Sequence, residues 1–541
     1  MFFKGSVFIS LMSALFASKV AAEQNVIADN QLSSHWYIDA VDKMAHKPIL
    51  ATKKTAKNVI LFVGDGMGIS TITAARILDG QLKGQLGEEN NLSFERFPFT
   101  GLAKTYNVDA QTPDSAGTMT AIMTGVKTDA GIIGIDENVE MGVCSSMKGN
   151  ELITALELAE IAGKSTGIVT TTRVTHATPA ATYAKSVNRD WEDNSDLPAS
   201  AIDASHRCSD IATQLIEFET NLKNRYPNAH LIDGIEVVMG GGRRHFLPMD
   251  SRFNSPDAVS KTEGDRTDGR NLISEWQQTY PSGVYVYDQV GFDKIKPETT
   301  QKVLALFNES NMHYEVDRKN DIAGEPSLSS MTEKALKMLS SNKRGFFLMV
   351  EAGRIDHAHH AGSAYGALTE TIELSKAVNV ALENTDTNET LIIVTADHSH
   401  VFTMAGYPKR GNPILGKVVN IGSDKPALAE DGKPYTTLGY ANGLGLRDLM
   451  DETDADKSYL TGHATGREDI SHIDTESPGY HQESLVPLDA ETHGGEDVAI
   501  YATGPGASAV MGVNEQNVIY HIINQAANLQ ALAQEAINES H

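Results

Sequence analysis

The sequence predicts an α/β fold: a three-layer sandwich in which a central, mostly parallel sheet is flanked by helices. Three observations carry this. Short apolar runs alternate with helical stretches. The runs are apolar throughout, as strands covered on both faces are. Most of them end in residues that carry chemistry, and parallel α/β sheets bind ligands outside the carboxyl ends of their strands.

Composition bounds the rest. The chain has 541 residues, 40% hydrophobic and 21% charged, which is ordinary globular usage and enough for a large core. Two cysteines exclude a disulfide-dense scaffold. The formal net charge is −26, and no Lys/Arg run offsets it. Such a surface repels polyphosphate backbones, so no nucleic-acid binding is expected.

Met1–Ala22 reads as a secretory signal peptide. Lys4 supplies the positive charge, Val7–Ala17 the short apolar stretch and Val20-Ala21-Ala22 the small-residue cleavage site. That stretch is too short to span a bilayer, and no later one is long enough. The mature chain is expected to be exported, periplasmic or secreted, with no membrane anchor. An oxidising compartment allows Cys144 and Cys208 to join; two buried thiols are the alternative.

The expected strands are Asn58–Val63, Gly167–Thr171, Phe346–Val350, Leu391–Thr395 and Val498–Ala502, with Ile235–Met239 weaker. Helical spacing marks Thr71–Leu78, Thr118–Met123, Glu151–Ala162, Thr332–Ser340 and Leu368–Leu382. The first strand runs into Gly64-Asp65-Gly66, the second into Arg173–Thr178, the third into Glu351, Asp356 and His360, and the fourth into Asp397-His398. Four strands therefore deliver acids and imidazoles to one edge.

Asp356 and His360 are four apart, so a helix would bring them to one face. His357 and His359 would point elsewhere. His493 precedes the last strand and reaches the edge from a loop; a solvated loop histidine is the alternative. Nitrogen and carboxylate donors with few thiols suit zinc. Asp65, Thr178 and Glu351 offer an all-oxygen set that suits magnesium. Paired metals about 4 Å apart are a device for displacement at phosphorus. Ser115, in Asp114-Ser115-Ala116-Gly117-Thr118, opens a helical run. It is either a helix cap or a nucleophile facing the positive end of the helix dipole.

With these segments assembled, the chain resembles the alkaline phosphatases, especially the branch that includes the animal enzymes. GDGMG at Asp65, PDSAGT at Ser115, THATPAATYA at His176, VNRDW at Arg189, EAGRIDHAHH, TADHSHVF and ETHGGEDVAIYATGP carry the resemblance, which covers nearly all of 58–527. It implies a metal-dependent phosphomonoesterase working on a broad range of phosphate monoesters through a covalent phosphoserine. Two zinc ions and one magnesium per subunit are implied. Ser115 would be the nucleophile and Arg189 the guanidinium that clamps phosphate. One zinc would take Asp356, His360 and His493; the other, Asp65, Asp397 and His398; magnesium would take Asp65, Thr178 and Glu351. His176 and His357, where the best-known bacterial pattern has Asp and Lys, would act through water. The branch also has a disulfide at the positions of Cys144 and Cys208.

The resemblance further implies a homodimer, with 23–48 as an N-terminal arm and approximately 401–490 as the crown-like insert of a single 23–541 catalytic domain. From Ile421 to Tyr480 there are 12 acidic and 5 basic residues, so the insert reads as a solvated surface. Asp451, Asp454 and Asp456 in DETDADK faintly resemble a calcium loop, but the EF-hand pattern is incomplete, and a solvated acidic loop is the expected reading. A calcium-type fourth site is not expected, because Asn308 stands where one of its acidic ligands would be. The rivals are a metallo-phosphodiesterase or sulfatase and, more remotely, an exported metal- or phosphate-binding protein without turnover.

Overall fold

Ten strands form one sheet in the computed structural model, which describes residues 24–47, 54–201, 208–464 and 466–539. In chain order they are β1 (Asn58–Gly64), β2 (Phe99–Lys104), β3 (Ser165–Arg173), β4 (Val237–Gly241), β5 (Val284–Val286), β6 (Val303–Leu306), β7 (Phe346–Ala352), β8 (Thr390–Ala396), β9 (Val498–Thr503) and β10 (Gly512–Glu515). Across the sheet the order is β10-β2-β9-β8-β1-β7-β3-β4-β6-β5. Only β9 runs antiparallel to its neighbours β8 and β2. The mostly parallel sheet is thus as expected, and each of the six expected strands is present. The expected signal peptide lies outside the described residues.

β7 and β8 are buried along their whole length, and β1 along all but its first residue, which is why they read as unbroken apolar runs. Helices cover them: Leu328–Leu339 and Ala364–Asn384 pack on each other, and Val518–Ala527 packs near β1 and β8. The helix expected from Glu151 begins at Ala155, because Thr154 caps it in a reciprocal pair with Glu157 while Glu151 bridges to Ile135. β2, β5, β6 and β10 were not expected; the last three are only three or four residues long.

Residues 24–47 form the helices Asp29–Ser33 and His35–His46. Their inner face joins the main core through Val26, Ile27, Tyr37, Ala40 and Met44. Between β8 and β9 the chain leaves the large sheet. There it builds a three-stranded sheet from Phe402–Met404, Leu438–Gly443 and Ser484–Pro487 and a pair from Arg447–Asp448 and Tyr480–His481. Among the described residues no helix is long and apolar enough to cross a membrane.

Candidate active site

Register places the acids. Gly64 lies level with Ala352 on β7 and with Ala396 on β8. Asp65 and Asp397 each follow by one residue, so they emerge side by side. Glu351, one residue before the end of β7, lies level with Val63 and with Thr170 on β3. Thr170 and Thr172 both donate to Glu351 Oε2, the second at 3.1 Å, which leaves Oε1 unpartnered. Gly66 has φ +68°, and a Cβ there would lie 2.3 Å from the His400 ring; its N–H donates to Asp397 Oδ1 at 3.0 Å. That accounts for the second glycine of GDG.

The single antiparallel strand places His493. Because β9 runs the other way, it starts at the edge where the parallel strands end. His493–Gly494 pairs with Ser399–His400, and the His493 ring stacks on His398 with centroids 3.6 Å apart. The helix Arg354–His360 follows β7 and carries Asp356 and His360 on one face, Nε2 to Oδ1 3.2 Å.

Hydrogen bonds set the tautomers. Nδ1 of His360 donates to Glu491 O at 2.5 Å, Nδ1 of His493 to Pro113 O at 2.7 Å and Nδ1 of His398 to Ser399 O at 3.2 Å. In the neutral ring each Nε2 then keeps its lone pair, and Nε2 of His493 stands 3.1 Å from Nε2 of His360. Two lone pairs at that distance repel unless a cation or a proton stands between them. Both oxygens of Asp65, Oδ2 of Asp397, Oε1 of Glu351 and the Thr178 hydroxyl are buried without a hydrogen-bond partner. Burial raises the pKa of Asp65 well above the carboxylate range, and Asp397, Asp356 and Glu351 raise it further. A fully buried acid cluster with open oxygens is what multivalent cations neutralise. The groups Asp65–Asp397–His398 and Asp65–His176–Glu351 each bring one donor atom per residue within 4.8 Å, as do Asp356–His398–His400–His493.

Ser115 begins the helix Ser115–Thr124, and its cap is the preceding residue: Asp114 Oδ1 accepts from Gly117 N at 3.0 Å. The serine hydroxyl is therefore not used as the cap. It lies 3.1 Å from His398 Nε2, beside the acid cluster. Asp114 Oδ2 accepts from Gly131 N and from Arg189 Nη1, both at 3.0 Å, and Arg189 Nη2 donates to His176 Nε2 at 3.1 Å. Burial opposes ionisation of Asp114, but Arg189 and the two backbone N–H groups together hold its pKa below the usual value.

Two neighbours take partners that the sequence does not show. His359 points away from the cluster, as expected, but into the core, bonded to Thr71 and Tyr440. Asp456 is not simply part of a solvated loop: one carboxylate oxygen accepts from Tyr314 and the other from Arg354. Two supporting residues, Asp114 and Glu491, lie outside the expected set. The signal for Asp114 was available, an aspartate three residues before the glycine at which its cap bond closes. Glu491 gave none, since its bond to His400 Nδ1 at 2.6 Å spans 91 positions.

The family model for alkaline phosphatase matches residues 56–529. The chain belongs to the alkaline phosphatase family. It is 44% identical over 478 residues to the tissue-nonspecific alkaline phosphatase of Gallus gallus, covering 88% of this chain and 85% of that one. It is 43% identical over 480 residues to the Homo sapiens tissue-nonspecific isozyme, covering 88% and 84%. An alkaline phosphatase of Gadus morhua is 42% identical, covering 91% and 96%. The fold is also that of the solved Thermus thermophilus alkaline phosphatase, with TM-score 0.61 at 22% identity over 90% of this chain and 96% of that one. As an alkaline phosphatase the chain is a phosphoric monoester hydrolase. The disulfide Cys144–Cys208, implied by the same resemblance, is formed.

Proposed function

We propose that this alkaline phosphatase hydrolyses a broad range of phosphate monoesters through a phosphoserine on Ser115, using two zinc ions and one magnesium. The observation that carries this is the Ser115 hydroxyl standing at the mouth of buried, unpartnered carboxylate oxygens and imidazole lone pairs. Asp356, His360 and His493 would hold one zinc; Asp65, Asp397 and His398 the other; Asp65, Thr178 and Glu351 the magnesium. When bound, these ions supply Lewis-acid stabilisation of negative charge at the reacting oxygens.

The chain's own groups do the rest. Ser115 Oγ attacks phosphorus, the bond to the leaving alcohol breaks, and the phosphoryl group rests on the serine. Water then attacks the phosphoserine, releasing phosphate and restoring Ser115. Two in-line inversions give retention at phosphorus. Arg189 has five N–H donors, of which Asp114 and His176 take two. Those left over form a planar fork for two phosphate oxygens, a role lysine would not fill equally. His176 and His357, with ring centroids 5.4 Å apart, line the same mouth and act through water.

Arg189 supports a monoester over a diester, because its fork reaches oxygens that a diester would esterify. Rates on mono- and bis-nitrophenyl phosphate test this: a large preference for the monoester is expected, and equal rates would favour the phosphodiesterase reading.

We further infer an exported homodimer. Apolar Tyr407, Ile421, Leu428, Leu485 and Val486 are exposed on the insert, and Ile38 and Val41 on the outer face of the N-terminal helix. These supply the surface a partner would cover. A monomeric mass by light scattering would contradict it.

A further inference from the structure

The insert between β8 and β9 reaches the active site of its own subunit through Asp456. This residue sits in the short 3-10 turn Ala455–Leu460. One of its oxygens accepts from Tyr314 OH at 2.7 Å and the other from Arg354 Nη2 at 2.9 Å. The Arg354 guanidinium lies over the Tyr314 ring, 3.7 Å from its centroid. Ser458, two residues on, donates to Ala361 O at 3.3 Å, just past the end of the helix Arg354–His360. The turn thus grips that helix at both ends.

Arg354 Nη1 stands 2.7 Å from His357 Nδ1. A guanidinium has donors only, so Nδ1 must accept and neutral His357 carries its proton on Nε2. That Nε2 is turned toward the site, 4.0 Å from Asp356 Oδ2. The Arg354 side chain is 5% exposed, and its Nε is buried without a partner. Asp456 is the carboxylate that pairs with it. Without Asp456 the guanidinium would keep the ring beneath it and lose the bond that fixes its rotation.

We propose that Asp456 is a positioning residue for phosphate binding, which anchors Arg354 so that His357 presents its Nε2–H to the phosphate side of the cleft. This rests on the reading of His357 as a group that meets phosphate through water. It makes the insert part of the catalytic unit as well as a surface.

The test is a double-mutant cycle on the metal-loaded enzyme, with p-nitrophenyl phosphate as substrate and inorganic phosphate as inhibitor. Asp456→Ala is expected to raise KM and the phosphate inhibition constant together by about tenfold and to change kcat by less than about twofold, the size of one coupled pair. In a His357→Ala background the same substitution is expected to do almost nothing. Asp456→Asn should act in the same direction but more weakly, since its oxygen can still accept from Arg354 while its amide donates to Tyr314 OH, and only the charge on the Arg354 bond is lost; it decides the matter if the alanine variant fails to fold. Asp451→Asn removes the same charge from the same segment and should leave all three constants unchanged. Equal losses in both backgrounds, or a fall in kcat alone, would overturn the positioning role. If His357→Ala by itself leaves KM and phosphate inhibition unchanged, the reading of His357 fails and the proposal with it, while Ser115 chemistry is untouched.

Discussion

Asp114 has two jobs that substitution can separate. Its Oδ1 caps the Ser115 helix through Gly117 N, and its Oδ2 holds Arg189 Nη1 and Gly131 N. Replacement by alanine removes a cap worth about 1 kcal/mol. It also removes bonds to a charged group, worth about 1.5–3 kcal/mol when well buried and less here because both partners are partly exposed. With the second contribution cut to about 1 kcal/mol by that exposure, the total is about 2 kcal/mol. For 541 residues the unfolding entropy is about 1 kcal/mol/K, so the melting temperature should fall by about 2 °C. Asp114→Asn keeps a good capping oxygen but drops the charge, so it should lose about 1 °C or less. Both variants free the Arg189 fork, so inorganic phosphate should inhibit several-fold less well in both, with KM rising in step. Scanning calorimetry with saturating metal, alongside inhibition by phosphate, reads the two effects separately. If phosphate inhibition is unchanged while the melting temperature falls, Asp114 is a cap only, and the Arg189 assignment loses its support.

Two further outcomes follow from the same geometry. Ser115→Ala should lose nearly all turnover yet keep its bound metal by elemental analysis, because no donor in the buried groups is removed; wild-type-like turnover would eliminate Ser115 as nucleophile. Glu160 is buried, which together with Asp233 raises its carboxyl to about 7, and Glu236 beside it is raised to about 8. Both are protonated in the fold at pH values where the unfolded chain has released the proton. Their contribution to stability is therefore full below the ordinary glutamate pKa and is lost as pH rises through about 7 to 8. Glu160→Gln keeps the oxygen that Asp233 N and Gly234 N donate to, and should flatten the fall in melting temperature between about pH 5 and 8. An unchanged slope would refute this.

Much of this was legible in the sequence because the chemistry sits where strands end. β1, β3, β7 and β8 announce themselves as apolar runs, and Asp65, Glu351 and Asp397 follow or close them directly. Strand register then does what no local reading can: it makes Asp65 and Asp397 neighbours although 331 positions separate Gly66 from the Asp397 oxygen that its N–H meets. The short strands β5, β6 and β10 carry too few residues for a pattern. Arg189 looks like any surface charge until Asp114 and His176 are seen to hold it. Asp456 does lie on an exposed loop, its side chain 45% exposed, but its two partners are hidden from the sequence for a related reason. An acidic loop looks solvated in sequence, and only the fold brings Tyr314 and Arg354 to meet it.

The metallophosphatase reading is tested most directly by hydrolysis of p-nitrophenyl phosphate at alkaline pH, before and after chelation, with zinc and magnesium added back singly and together. Chelation should abolish activity, zinc should restore it in part, and both metals should restore it in full. Turnover that survives complete removal of metal would contradict that reading. So would a folded, metal-loaded enzyme that leaves the monoester intact.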